Sequence, residues 1–181
     1  MLLSEGQFLV SQDMLISNIT LTFPRNPPHI NTILESELVS DVDPKIQTIT
    51  HRLLLTDVVV FDDSTTIQQL PLSKRLGLLQ TQFIEPRNRS PNSTTQDSVR
   101  VRLKTFSMTK NLNAVGTVIG NASALKNLKD KVLPHLPHGW EGLWFVSDGG
   151  KTSILEWSRS INEIEGAITY DELMAAIDKI S

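Results

Sequence analysis

Apolar and polar residues alternate along the first sixty residues in a way that is typical of β-strands. Residues 6–23 contain β-branched stretches with polar breaks and predict one or two strands. Residues 31–39 alternate strictly enough to place Glu35 and Glu37 on one face and the leucines on the other. Residues 51–61 form the most hydrophobic stretch of the chain. Their density of β-branched side chains predicts a buried central strand.

A helical period follows these strands. Residues 72–84 carry an apolar stripe at helical spacing, formed by Leu72, Leu76, Leu79 and Phe83. The stripe predicts an amphipathic helix, which Pro86 is expected to end. Residues 124–133 predict a short basic helix, and a last helix is expected after Thr169, where a capping box begins.

Residues 99–106 alternate again, and this stretch predicts a half-exposed strand that presents a row of cations: Arg100, Arg102 and Lys104. Two further strands are predicted at 142–147 and 153–158, on either side of a glycine turn. The order of elements predicts an α+β fold, with a mainly antiparallel sheet and about three helices. No segment interrupts the pattern enough to mark a boundary, so residues 1–181 are expected to form a single domain.

Composition narrows the classes of protein to consider. Apolar residues make up 39% of the chain and charged residues 20%, which is typical of a globular protein. No apolar run reaches the ~20 residues that a membrane span requires. Without cysteine, the chain has neither disulfides nor thiolate metal sites. No metal site is predicted, and a nuclear or cytoplasmic location with no membrane partner is expected.

Charge is distributed unevenly along the chain. Residues 74–133 carry eleven basic and three acidic side chains, a net charge of +8, whereas the segments before and after carry −6 and −5. A basic segment in an otherwise acidic protein attracts polyanions through phosphate contacts. The alternative is an ordinary solvated face whose lysines and arginines contribute only solubility.

Five segments, taken in order, resemble the guanylyltransferase domain of mRNA capping enzymes. They are FPRNPPHINTILESELVSDV at 23–42, RLLLTDVVVFDD at 52–63, PLSKRLGLLQTQFIEPRN at 71–88, HGWEGLWF at 138–145 and ILEWSRS at 154–160. In the family these correspond to an N-T-x-L-D-G-E strand, an L-I-Y-D strand, a helix ending in P-R, the D-G-L-I-F strand and the closing L-L-K-W-K motif. The resemblance implies a reduced nucleotidyltransferase-like core.

The residues that carry out the family's chemistry are replaced or missing. The family attacks GTP with the lysine of K-x-D-G, and this sequence contains no K-x-D-G. The lysines of the closing motif, which neutralise phosphates, correspond to Glu156 and Ser158. The family's C-terminal OB-fold domain also has no counterpart, so no catalytic residue is predicted. These losses match those of the m3G-cap-binding domain of snurportin, which the chain also resembles.

The resemblance implies a site for a guanine base and its phosphates. The aromatic residue that clamps guanine in the family corresponds to Thr56, and the opposing position corresponds to Trp144. The residues predicted to bind the base are Trp144, Trp157, Glu37 and Glu141. Those predicted to bind phosphate are Arg100, Arg102 and Lys104. The alternative is that the tryptophans belong to the core and that the charged residues form a solvated surface.

Three functions are compatible with the sequence. The leading hypothesis is a non-catalytic domain that binds guanine nucleotides or the capped 5′ end of RNA. The second is a piece of an active guanylyltransferase whose lysine lies elsewhere, and only this case calls for Mg²⁺; no cofactor is otherwise expected. The third is a protein-interaction module on the same scaffold, and a protein partner that supplies the missing elements is also possible.

Overall fold

The structure is a computed structural model that describes residues 6–24, 29–43, 45–90, 95–106, 128–139, 142–146 and 154–158. Residues 128–129, 142–146 and 154–158 are described by their backbone alone. The chain divides into two compact units, of which the first comprises Met1–Lys104 with Ser147–Ser153 and the second Thr105–Val146 with Ile154–Ser181. The expectation of a single domain stays a prediction.

The first unit is built on a three-stranded sheet. Strands β1 (Phe8–Val10) and β2 (Ile16–Asn18) form a separate antiparallel hairpin near its start. The sheet itself has the order β3-β4-β5, formed by Ile33–Val42, Ile49–Val60 and Arg100–Leu103. β3 and β4 are antiparallel, as expected for a hairpin, whereas β4 and β5 are parallel. The parallel pair is possible because a helical crossover connects its two strands.

The crossover contains the predicted amphipathic helix. A 3₁₀ turn at Thr66–Gln69 leads into helix α1 (Leu72–Leu79), a π-helical turn at Gln80–Ile84 and helix α2 (Glu85–Arg89). The helical conformation therefore continues past Pro86, contrary to the expectation that this residue ends it. Pro86 lies in the first turn of α2, directly after the π-helical turn, where the regular pattern of backbone hydrogen bonds is already interrupted.

The core lies between this crossover and one face of the sheet. Its fully buried members come from β4 and from the crossover: Leu53, Leu55, Val58, Leu79, Phe83 and Ile84. Val101 and Leu103 of β5 pack against them. Because residues alternate between faces along a strand, the cationic positions of β5 belong to the opposite face.

The structure confirms the α+β class, and the described strand pairs are antiparallel except for β4–β5. In the second unit, a π-helical turn at Leu128–Val132 and a 3₁₀ turn at Leu133–His135 occupy the described part of the predicted basic helix. Strands β6 (Gly142–Val146) and β7 (Ile154–Ser158) form the predicted antiparallel pair. The helix expected after Thr169 lies outside the described residues.

Candidate nucleotide-binding face

One face of the three-stranded sheet, opposite the core, carries charged residues on all three strands. The register places Glu37 of β3, Leu54 of β4 and Arg102 of β5 in one row across the sheet. The next row contains Arg52 and Arg100. We call this surface the charged face, and its members are Glu35, Glu37, Asp41, Arg52, Leu54, Arg100, Arg102 and Lys104. It brings together four of the predicted site residues, Glu37, Arg100, Arg102 and Lys104.

Two ion pairs connect strands across the charged face. Arg52 pairs with Asp41, and Lys104 pairs with Glu37. The second pair joins a residue predicted to bind the base to one predicted to bind phosphate. These contacts leave Glu37 and Asp41 already engaged by cations.

Arg100 and Arg102 have no such partner. Arg100 is exposed and Arg102 is half-buried, and neither forms an ion pair with any residue that the structure describes. Together with the two paired cations, they give the charged face four positive side chains against three carboxyl groups, those of Glu35, Glu37 and Asp41. The surplus of positive charge favours anions at this surface.

The centre of the charged face is buried. Leu54 is 3% exposed and Thr56 is 7% exposed, although neither belongs to the core cluster on the other face. Thr56 is the extra residue of a β-bulge, because Leu55 pairs with Ser36 and Asp57 pairs with Glu35. Its Oγ1 has no hydrogen-bond partner among the described residues. Buried hydroxyls are normally hydrogen-bonded, so water or a ligand is the usual partner for such an atom.

Asp57, which follows the bulge, has a structural role, because it links β4 to helix α1. Its carboxylate accepts two hydrogen bonds from Arg75 of α1, one from Nε to Oδ1 at 2.7 Å and one from Nη2 to Oδ2 at 2.8 Å. Arg75 Nη1 also donates to the Leu70 carbonyl oxygen at 2.5 Å, and the residue is only 2% exposed. A bidentate pair with both donors and acceptors used is typical of a structural link between helix and strand.

Glu35 of β3 is the register partner of Asp57 of β4, and burial and the charge of Asp57 both affect the pKa of Glu35. Partial burial raises the pKa of Glu35 above its ordinary value of 4.5, and the charge of Asp57 raises it further. Arg75 and Lys104 act in the opposite direction. Ionised Glu35 is therefore less favourable in the folded protein than in the unfolded chain.

Replacing Glu35 with glutamine is expected to stabilise the protein relative to wild type at neutral pH. A raised pKa in the folded state means that stability is lost as the pH rises through that pKa, and glutamine avoids this loss. The difference in unfolding free energy should be smallest below pH 4.5, grow above it and then level off. Urea denaturation of both proteins between pH 4 and pH 8 measures this, and a pH-independent difference would contradict it.

In the second unit, the register of β6 and β7 places the two predicted tryptophans on opposite faces. Trp144 lies directly opposite Glu156, and Trp157 lies opposite Leu143. The face with Trp157 otherwise contains only apolar residues, whereas the face with Trp144 also contains an acid. The register therefore favours Trp144 as the residue that meets a ligand. Glu141 lies outside the described residues, and the roles of all three stay predictions.

Sequence reasoning did not identify Arg52 and Asp41 as members of the charged face. In the sequence, Arg52 is one polar residue near the start of an apolar strand. Its place on the charged face depends on the pairing of β4 with β5, in which its partner is Arg100, 48 residues later in the sequence. The single available signal was the strand period, which places Arg52 and Leu54 on the same face. Parallel pairing between distant segments leaves no local pattern in the sequence.

Within the described residues, no group of three or more acidic or histidine side chains is arranged to hold a metal ion. None of the helices in that part of the chain has the length and apolarity that crossing a membrane requires.

Comparison with known proteins agrees with the order of motifs in the sequence. A search of curated proteins found no match to the chain. A family model described as mRNA capping enzyme, catalytic domain, matches residues 1–158 and so covers most of the chain. That match includes the whole charged face and both strands of the β6–β7 pair. The chain therefore belongs to the mRNA capping enzyme catalytic domain family.

Proposed function

We propose that this protein is a non-catalytic member of the capping family that binds the guanine-bearing or capped 5′ end of RNA. The observation that carries the proposal is the surplus of positive charge on the charged face, where Arg100 and Arg102 lie beside Lys104. In a family that handles nucleotides and RNA 5′ ends, phosphate is the anion that such a surface would meet. Guanidinium groups bind phosphate oxygens through two parallel hydrogen bonds, which gives geometry as well as attraction.

The base would stack on Trp144. Trp144 and Glu156 are directly opposed on one face of the β6–β7 pair. A methylated guanine carries a positive charge, and an aromatic surface next to a carboxylate suits such a cation. Glu156 also stands where the family motif has a lysine, so the substitution that weakens the case for catalysis supports recognition of a cationic base.

Glu37 and Lys104 would act as a pair in this proposal. Their ion pair must open before Lys104 can turn fully to a phosphate and Glu37 can accept a hydrogen bond from the base or ribose. Both side chains are partly exposed, so solvent screening keeps the cost of opening small.

Absence of catalysis is part of the proposal. The sequence has no K-x-D-G, and the closing motif carries Glu156 and Ser158 in place of cations. Incubation with radiolabelled GTP and magnesium should leave no acid-stable label on the protein. A label would favour the alternative of an active guanylyltransferase.

Substitution of Trp144 by alanine should weaken binding of a fluorescently labelled cap analogue about fivefold or more. Stacking of a base on an aromatic side chain contributes about 1–3 kcal/mol, and about 1.4 kcal/mol corresponds to a factor of ten. Fluorescence anisotropy measures the effect without depending on the tryptophan signal. Trp157→Phe is the matched control, because it retains an aromatic residue on the apolar face of the same strand pair.

Two results would reject the proposal. One is the absence of any binding by folded wild-type protein at millimolar cap analogue. The other is equal affinity of wild type and Trp144→Ala, which would leave the interaction-module alternative as the better explanation.

A further inference from the structure

The row of cations on β5 is longer than the phosphate chain of one nucleotide. Alternate residues of a strand lie about 6.6 Å apart, so Arg100 and Lys104 are separated by about 13 Å along the strand. The phosphates of a nucleotide are joined directly through shared oxygens and span a much shorter distance. A ligand that reaches the whole row needs phosphates that are spread out, as they are along a polynucleotide backbone.

The far end of the row contains two like charges in direct opposition. Arg52 of β4 and Arg100 of β5 are register partners on adjacent parallel strands. Like charges that face each other across strands are destabilising. Asp41, which is almost fully buried, neutralises Arg52, but no described residue forms an ion pair with Arg100. An anion bound between the two guanidinium groups would relieve the repulsion that remains.

The geometry points to a separate phosphodiester subsite formed by Arg52 and Arg100, which takes a backbone phosphate of the RNA downstream of its 5′ end. The nature of the ligand rests on the proposed function, whereas the existence of the subsite rests on the register and the charges. Arg100 with Arg52 binds one backbone phosphate, apart from the phosphates that meet Arg102 and Lys104. The protein therefore recognises an RNA chain in preference to a free nucleotide.

Arginine is the residue type that this role requires. Its planar guanidinium reaches a phosphate with two hydrogen bonds, and it stays charged at every physiological pH. Asp41 pairs with Arg52 and holds it in place, while the Arg52 side chain as a whole is 29% exposed. Arg100 is exposed and supplies the second wall of the subsite.

The test compares three labelled ligands in fluorescence anisotropy: a cap dinucleotide, a short capped RNA and the same RNA without a cap. The variant is Arg100→Gln, which removes an exposed charge without an ion-pair partner in the described part of the chain and so leaves the fold intact. Arg89→Gln is the matched control, since Arg89 is an exposed arginine of α2 whose ion pair with Glu85 lies on the surface. Arg100→Lys tests whether charge alone suffices.

Arg100→Gln should lower affinity for capped RNA about fivefold or more and lower affinity for the cap dinucleotide clearly less. The slope of log affinity against log salt should become shallower by about 0.7, the value for one phosphate contact to a single strand. Arg89→Gln should change neither quantity, and Arg100→Lys should restore part of the affinity.

Equal losses for the dinucleotide and the RNA would overturn the inference by placing Arg100 in the cap site. No loss for either ligand would overturn it as well. So would displacement of the RNA by polyglutamate as efficiently as by unlabelled RNA. If wild type fails to bind the cap dinucleotide but binds uncapped RNA through Arg100, the subsite stands and the proposed function fails.

Discussion

Replacing Arg75 with alanine should destabilise the first unit by about 3–5 kcal/mol, because the carboxylate of Asp57, only 18% exposed, would lose its cationic partner. Asp57 accepts both of its strong hydrogen bonds from Arg75, and Arg75 is nearly inaccessible to water. Urea denaturation followed by far-ultraviolet circular dichroism measures the loss. Arg89→Ala is the control, since an exposed pair with Glu85 contributes no more than about 1 kcal/mol.

A second variant keeps this prediction testable if Arg75→Ala does not fold. The double substitution Arg75→Met with Asp57→Leu removes both charges and leaves no buried ion without a partner, so it should recover most of the lost stability. A destabilisation below about 1 kcal/mol in the single variant would contradict the assignment, because such a small loss is typical of a solvated pair.

Replacing Phe83 with alanine should cost about 3–5 kcal/mol, the usual effect of removing a fully buried aromatic side chain. Phe83 stacks on His29 with ring centroids 4.3 Å apart and meets the Phe23 ring edge-on at 5.2 Å. Phe61 completes the cluster at 6.0 Å. One substitution therefore removes contacts with the crossover, with β4 and with the segment that precedes β3.

Chemical denaturation and near-ultraviolet circular dichroism together test the Phe83 prediction. Phe83→Leu is the conservative control and should cost clearly less, since it keeps most of the apolar volume. Similar losses for the leucine and alanine variants would show that the aromatic contacts contribute little. Loss of stability with an unchanged near-ultraviolet spectrum would show that the cluster is not a fixed packing arrangement.

Local patterns in the sequence were sufficient to predict most of the described strands. Alternation at 31–39 predicted β3, and the apolar run at 51–61 predicted β4, because burial on one or both faces leaves a direct trace in residue order. The helix beyond Pro86 was not predicted. A proline ordinarily ends a helix, whereas the preceding π-helical turn places Pro86 where a new helical segment begins. Such a turn has no clear sequence signal.

The candidate site was predictable to a smaller extent. Alternation placed Arg100, Arg102 and Lys104 on one face, and the structure gathers them with Glu37. Two interactions could be recognised only in the structure: the Glu37–Lys104 ion pair and the bidentate pair between Asp57 and Arg75. Each joins residues that are distant in sequence, and neither partner alone distinguishes a ligand-binding charge from a structural one.

The π-helical turn at Gln80–Ile84 also determines the direction in which the later side chains of the crossover point. An α-helix turns by about 100° per residue, so the one additional residue of a π turn shifts the direction of all later side chains by about that angle. With this shift, Arg87, which follows the turn, reaches Asp97 and the Thr22 carbonyl oxygen. If one residue were deleted from this turn, the helix would remain, but Arg87 would point away from Asp97 and from the Thr22 carbonyl oxygen.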